Sequence, residues 1–373
     1  MLCPKERHDM DYLFYHQLTS QSIKEEIISR ETARNILLSK EIELLPLLNA
    51  AYEVRKNFTG KDVMIHIINN AQNGYCPEDC HYCAQAKTSQ ADIEEYPLKS
   101  DEEFLEEAKI AYERGAHRYC LVFAGRGPSI KRVLHLARLI REIKTRYPIE
   151  VCVSAGILNT EKAKILKDAG LDRLNHNLNT SERHYPSICS THTYQDRVNT
   201  LHAAKEAGIR LCSGIIAGMG ETLEDILEVA YALRELGVIS IPVNFLMPIP
   251  GNVLNKQPKL TPEFCLRILC LFRFLNPKSE LRMAAGREIH LRSLEVMGLY
   301  PANSLFLDGY LNTKGAERIK TLQMIKDAGF TIRSTIDLDQ LIEKEGTHLR
   351  EKPQDLAAET LMKGLKDLRP ALA

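Results

Sequence analysis

A surplus of charge of either sign is missing: 49 Lys and Arg residues face 49 Asp and Glu over 373 residues. No long-range field therefore favours nucleic acid or an anionic membrane, and the expected substrate is small. Also missing is any apolar run long enough to cross a bilayer, and Met1 to Met10 is polar where a secretory signal would be hydrophobic. The chain is expected to be cytoplasmic. Low-complexity linkers are absent, as are a Walker loop, a dinucleotide fingerprint after the first strand, a Ser-His-Asp order and a His-Glu-x-x-His pair. The enzyme classes that those motifs mark lose weight accordingly. Cysteine is what remains to be explained, ten in all. Without an export signal, a reducing compartment favours metal ligands, catalytic thiols or core residues over disulfides.

From about residue 60 a rhythm recurs in which an amphipathic segment ends on glycine and a short β-branched run follows. Gly115 precedes 117–122, Gly170 precedes 171–174, Gly208 precedes 209–215 and Gly237 precedes 238–243. Each glycine reads as a left-handed helix C′ cap that releases the chain into a strand. Adding 63–68, 149–153, 281–284 and 304–307 gives about eight strands separated by helices, the grammar of a parallel sheet. An α/β fold of (β/α)8 TIM type is the economical reading, with a doubly wound open sheet as the alternative. Residues 1–58 read as an N-terminal helical cap whose first ten residues form a loose arm. Residues 59–330 read as the barrel, and 331–373 as a short C-terminal tail that frays.

The first strand leads into Gly74-Tyr75-Cys76-Pro77-Glu78-Asp79-Cys80-His81-Tyr82-Cys83, which sets three thiols at the carboxyl end of the sheet, where barrel enzymes keep their chemistry. Three thiolates can hold a [4Fe–4S] cluster and leave one iron open. A structural zinc site would need a fourth closed ligand, for which His81 is the neighbouring candidate. A ferredoxin would offer four cysteines per cluster. The Cys-x3-Cys-x-Tyr-Cys loop resembles the hallmark of the radical S-adenosylmethionine superfamily, matched by Cys76, Cys80, Tyr82 and Cys83. The resemblance implies that the open iron chelates the methionyl group of S-adenosylmethionine and that reductive cleavage yields a 5′-deoxyadenosyl radical.

Cys120, Cys152 and Cys212 fall inside expected strands. Singly each reads as a small core residue, but in a barrel three such thiols can point to one centre. Chemistry alone makes Arg282 a salt-bridge residue. In order and spacing, however, Cys120, Cys152, Cys212 and Arg282 resemble the [2Fe–2S] ligands of the biotin synthases. That resemblance, over about 54–330, implies sulfur insertion into dethiobiotin, with sulfur from the second cluster and no side-chain base. It further implies that Asn177, Asn179, Arg197, Gly218 and Glu221, with Tyr82, contact S-adenosylmethionine, and that Asn175 and Asn244 contact the ureido ring. The family commonly carries aspartate where this chain has Asn179. Glu221 with Thr222 reads equally well as helix N-terminal chemistry, and the alternative for Arg197 is a surface charge on a helix. Cys3, Cys189, Cys265 and Cys270 receive no ligand role. Implied partners are an electron donor such as flavodoxin or ferredoxin, iron–sulfur assembly proteins and a second copy in a homodimer. The rivals are another radical barrel enzyme, such as a hydrogenase-cluster maturase or methylornithine synthase, and, from a different class, an iron–sulfur electron carrier or structural zinc protein.

Overall fold

A computed structural model describes residues 4–351 and 361–372, with the side chains of 4–12 and 348–351 left aside. Cys3 and most of the N-terminal arm's side chains thus lie outside the described residues. Three helices come first, α1 (Pro4–Ile23), α2 (Arg30–Leu38) and α3 (Leu44–Thr59). The strands are β1 (Asp62–Gln72), β2 (Arg118–Phe123), β3 (Glu150–Ser154), β4 (Arg173–Asn175), β5 (Arg210–Cys212), β6 (Ile215–Ala217), β7 (Ser240–Phe245), β8 (Glu280–Met283), β9 (Ser304–Leu307) and β10 (Thr331–Ile332). All pairings are parallel. The order runs β1-β2-β3-β4-β5-β7-β8-β9, and β9 returns to β1, closing the barrel. The open-sheet alternative is excluded.

The strand expected at 209–215 is broken. It pauses at Ser213-Gly214 and resumes as β6 on β7, because a Cβ on Gly214 would lie 1.9 Å from the Pro242 carbonyl oxygen. The four glycines read as helix terminators all take positive φ, 73° to 92°. Helices α4 (Asp101–Glu113), α5 (Ile130–Arg146), α6 (Thr160–Asp168), α7 (Tyr194–Glu206), α8 (Leu223–Leu236) and α9 (Pro262–Leu275) ring the barrel. Ser100, Thr193 and Thr222 open α4, α7 and α8 with reciprocal capping boxes, which fix where each loop ends. The N-terminal helices cover α9, so every residue from Cys265 to Leu275 is buried, and Cys265 and Cys270 are core residues as expected.

The tail does not fray over its described part, which corrects the expectation. β10 pairs with β1, and α10 (Leu338–Glu351) buries Leu338 and Leu341 in the core. Further on, Arg369 forks onto Glu103 at 2.7 and 2.6 Å, Lys99 donates to the Leu368 carbonyl at 2.6 Å, and Met362 bridges to Thr313. Two of the segment's cations, Arg369 and Lys363, thus serve the Glu103 carboxylate and the Tyr310 carbonyl.

A layer of charge closes the amino-terminal end of the barrel. Arg118, Glu150, Arg173 and Glu280 are the first residues of β2, β3, β4 and β8. Arg118 donates to both Glu280 oxygens, at 3.0 and 2.8 Å, and to Glu150 at 2.8 Å, while Glu280 also receives His66 at 2.8 Å. Burial and then the Arg282 charge push the His66 pKa well below its ordinary value, and burial does the same at His176. With folded pKa values below about 6.5, the unfolded chain takes up these protons first as pH falls. Their contribution is therefore complete above pH ~6.5 and is lost below it, at about 1.4 kcal/mol per pH unit for each histidine. Urea midpoints should fall between about pH 7 and about pH 5.5. A constant or rising midpoint would contradict this account.

Candidate active site

Side chains alternate along a strand, so the first and third residues share a face. Two residues above the charged floor, Cys120 on β2, Cys152 on β3, Cys212 on β5 and Arg282 on β8 are each third in their strand. They form one inward-facing layer, with Cys120, Cys152 and Cys212 packed together beside Ile68 and Phe306. Hydrogen bonding to Cys152 holds the Cys120 and Cys212 thiols down, while Cys152 itself is pushed up. Burial opposes the Arg282 charge, but Glu280 and then Cys212 outweigh it and raise its pKa. Arg282 donates to Glu280 at 2.5 Å and Ser240 at 3.0 Å, lies over the Phe306 ring, and keeps its buried Nε without a partner among the described residues. Three soft donors and an uncommitted guanidine nitrogen fit a small iron–sulfur cluster.

The thiol loop lies above this layer. Cys76, Cys80 and Cys83 line the same cavity, of about 380 Å³, as Cys120, Cys152, Cys212 and Arg282. The loop is fastened to 188–192: Asp79 accepts the Ser190 and Thr191 amides at 2.9 and 3.2 Å, and the His81 amide reaches the Ile188 carbonyl at 2.9 Å. Burial pushes the Cys83 thiol up to about 11 and the Cys76 thiol up as well. A metal therefore displaces protons when it binds here. The loop's three thiols suit a cluster with an open iron, whereas His81 is not part of any close metal-ligating group among the described residues. Cys189, read as a loop cysteine without a role, is buried 3.8 Å from the Cys80 sulfur. The Cys-x2-His spacing from 189 to 192 was the sequence signal for it.

Amides occupy the space between the two thiol sets. Asn175 donates to the Asn177 side chain at 3.1 Å and to Cys212 at 3.3 Å; Asn244 spans the Ile215 carbonyl and the Ala285 amide; all three line the cavity. Asn179 takes φ 68° and donates to the Tyr82 hydroxyl at 2.6 Å. Arg197 is not a surface charge. It is buried, binding the Tyr185 hydroxyl, the Asn177 carbonyl at 2.8 Å, His192 at 2.9 Å and the Tyr82 hydroxyl at 3.4 Å. Burial is countered first by Tyr82 and Tyr185, and the Arg197 pKa is raised. Gly218 and Glu221 stand apart from the others and do not line the cavity. The Glu221 carboxylate turns back onto the Gly218 and Met219 amides, both at 2.6 Å, so its observed contacts belong to the loop itself.

A closed parallel barrel with a Cys-x3-Cys-x2-Cys loop opening on its lumen defines a radical S-adenosylmethionine enzyme, and residues 73–233 match the model of the radical SAM superfamily. Residues 242–331 match the biotin and thiamin synthesis associated domain. The chain is 55% identical over 316 residues to a biotin synthase of Acaryochloris marina, covering 85% of this chain and 91% of the relative. It is 57% identical over 302 residues to that of Magnetococcus marinus, covering 81% and 94%. The chain belongs to the biotin synthase family. Among solved structures, methylornithine synthase superposes with a TM-score of 0.73 at 20% identity, covering 87% of this chain and 99% of that one. The FeFe-hydrogenase maturase of Carboxydothermus hydrogenoformans gives 0.72 at 20% identity, covering 91% and 85%. Both rival radical enzymes thus share the fold, but the sequence relatives separate this chain from them. No described helix is long and apolar enough to cross a membrane.

Proposed function

We propose that this chain inserts sulfur into dethiobiotin, with Cys76, Cys80 and Cys83 holding a [4Fe–4S] cluster and Cys120, Cys152, Cys212 and Arg282 holding a [2Fe–2S] cluster. The observation that carries the assignment is the single cavity lined by both donor sets with Asn175, Asn177 and Asn244 between them. When bound, the clusters and S-adenosylmethionine supply the reductive cleavage and the sulfur; the chain supplies position and exclusion of water. Arg197, fixed by Tyr185 and His192, presents a buried positive charge for the methionyl carboxylate. Tyr82 and Asn179 bracket the cofactor's place, and Asn175 and Asn244 offer amide donors and acceptors for a urea. Gly218 and Glu221 support the adenine side by shaping their loop. This reading carries with it an external electron donor such as flavodoxin or ferredoxin, iron–sulfur assembly proteins, a cytoplasmic setting and a homodimer.

Anaerobic iron and sulfide analysis with Mössbauer spectroscopy tests the assignment. The reconstituted protein should hold one cluster of each type, and Cys83→Ala should lose the [4Fe–4S] signal together with all cleavage of S-adenosylmethionine. A Cys83→Ala protein that still cleaves the cofactor refutes the loop assignment.

Asn179 adopts a left-handed conformation that aspartate also tolerates, so Asn179→Asp is a conservative change in backbone terms. Because a carboxylate binds hydroxyls more strongly than an amide does, the Kd for S-adenosylmethionine should fall about fivefold. An unchanged or higher Kd by isothermal titration would refute contact between residue 179 and the ribose.

A further inference from the structure

Cys189 has no part in the function described above, yet it is placed for coordination chemistry. Its sulfur lies 3.8 Å from that of Cys80 and 3.3 Å from His192 Nδ1. The Cys80 and Cys189 sulfurs and a ring nitrogen of His192 all lie within 4.8 Å of one another, and all three residues are buried. With Zn–S bonds of about 2.3 Å, two thiolates on one tetrahedral ion stand about 3.8 Å apart, and a thiolate and an imidazole nitrogen about 3.5 Å apart. The two separations from the Cys189 sulfur are close to those edges, and Cys80 and His192 lie within 4.8 Å of each other. Two irons of one cluster would set their thiolates much farther apart, so Cys189 does not act as an extra ligand to the loop's cluster.

We propose that Cys80, Cys189 and His192 form a mononuclear site for a thiophilic divalent ion, zinc by preference, which shares Cys80 with the iron–sulfur loop and competes with cluster assembly. The proton that the Cys80 and Cys189 sulfurs share leaves to solvent as the ion binds, and His192 Nδ1 exchanges its contact with Glu78 for the metal. Nε2, which then carries the ring proton, donates to the Tyr185 hydroxyl 2.9 Å away to orient the imidazole and releases the Arg197 N–H that it accepts in the bare protein. Asp79 lies 3.3 Å from the Cys189 sulfur but is already engaged by Ser190 and Thr191, which leaves the fourth position to water. Access is through the main cavity, which Cys80 and His192 both line. A Cys80 thiolate already on iron offers a second metal only a bridging position, so the two occupancies oppose each other. At sites rich in sulfur and nitrogen, zinc binds more tightly than ferrous iron, so the bare protein favours the wrong metal.

The test uses the full chain stripped of iron and sulfide, with Cys120→Ala/Cys152→Ala/Cys212→Ala as background to remove the lumen thiols, and Co2+ as the probe. One Co2+ should bind with thiolate-to-cobalt charge transfer and the intense visible bands of a tetrahedral ion, and Zn2+ should displace it. Cys189→Ala and His192→Gln should each weaken binding by at least about tenfold, while Cys83→Ala should not. Absence of the charge-transfer band overturns the proposal, as does a loss on Cys83→Ala equal to that on Cys189→Ala. Circular dichroism checks that each variant is folded, and Cys189→Ser provides a variant of nearly the same size. With the lumen thiols restored, prior addition of Zn2+ should slow iron–sulfur reconstitution of the parent but not of Cys189→Ser. Equal slowing in both overturns the competition. Reconstitution without zinc reads the cluster assignment separately, so the two proposals fail independently.

Discussion

Cys152→Ala will abolish biotin formation and remove the [2Fe–2S] signal while leaving the [4Fe–4S] cluster and cleavage of S-adenosylmethionine in place. Cys152 packs with both Cys120 and Cys212, so its removal leaves two thiols and a guanidinium, too few to hold the cluster. The fold should survive. Only one sulfur is deleted from the lumen, and Arg282 remains tied to Glu280 and Ser240. The stability cost should stay within about 1–2 kcal/mol. Mössbauer spectra and mass-spectrometric detection of product and 5′-deoxyadenosine separate the outcomes. A variant that retains both clusters, or still makes biotin, would remove Cys152 from the ligand set.

Glu280→Ala should have the largest effect on stability. Its carboxylate meets Arg118, His66, Arg282 and Ser240 in a buried layer, with Arg173 at 3.7 Å. Burial opposes its charge, but Arg118, His66 and Arg282 hold its pKa far below the carboxylate range. Deleting it leaves several buried cations facing one another, and breaking such a set by removing one partner costs about 3–5 kcal/mol. Urea denaturation of the cluster-free protein should show this loss, with Glu280→Gln intermediate because it keeps hydrogen bonding without charge. A Glu280→Ala protein within about 1 kcal/mol of the parent would mean that the floor contributes little. The same variant should impair the second cluster, because Arg282 takes its direction from Glu280.

Much of this architecture is legible in the sequence because local and global signals agree. Glycines that end helices stand immediately before β-branched runs, and each such run became a strand. The fifth failed as a continuous strand because the close approach of Gly214 to the Pro242 carbonyl is a tertiary fact with no local signature. The tail misled for a related reason: Arg369, Lys363 and Leu368 look solvated in sequence, and only the folded chain supplies Glu103, Tyr310 and Lys99. The ligand layer was readable through family resemblance, but a physical pattern was also present. Arg118-x-Cys120, Glu150-x-Cys152, Arg210-x-Cys212 and Glu280-x-Arg282 each pair a strand's first residue with its third. Arg282 then appears as both the salt-bridge residue that chemistry expects and part of the thiol layer. Glu221 and Gly218 show the opposite case, a motif that shapes a loop while its side chain faces away from the cavity.

The charged floor also governs traffic. With Arg118 and Glu280 buried across one end, the described residues leave the thiol layer open to the cavity on the side of the Cys76–Cys83 loop. A substrate seated against Asn175 and Asn244 would therefore lie over Cys120, Cys152 and Cys212 and screen that layer from anything else entering the cavity.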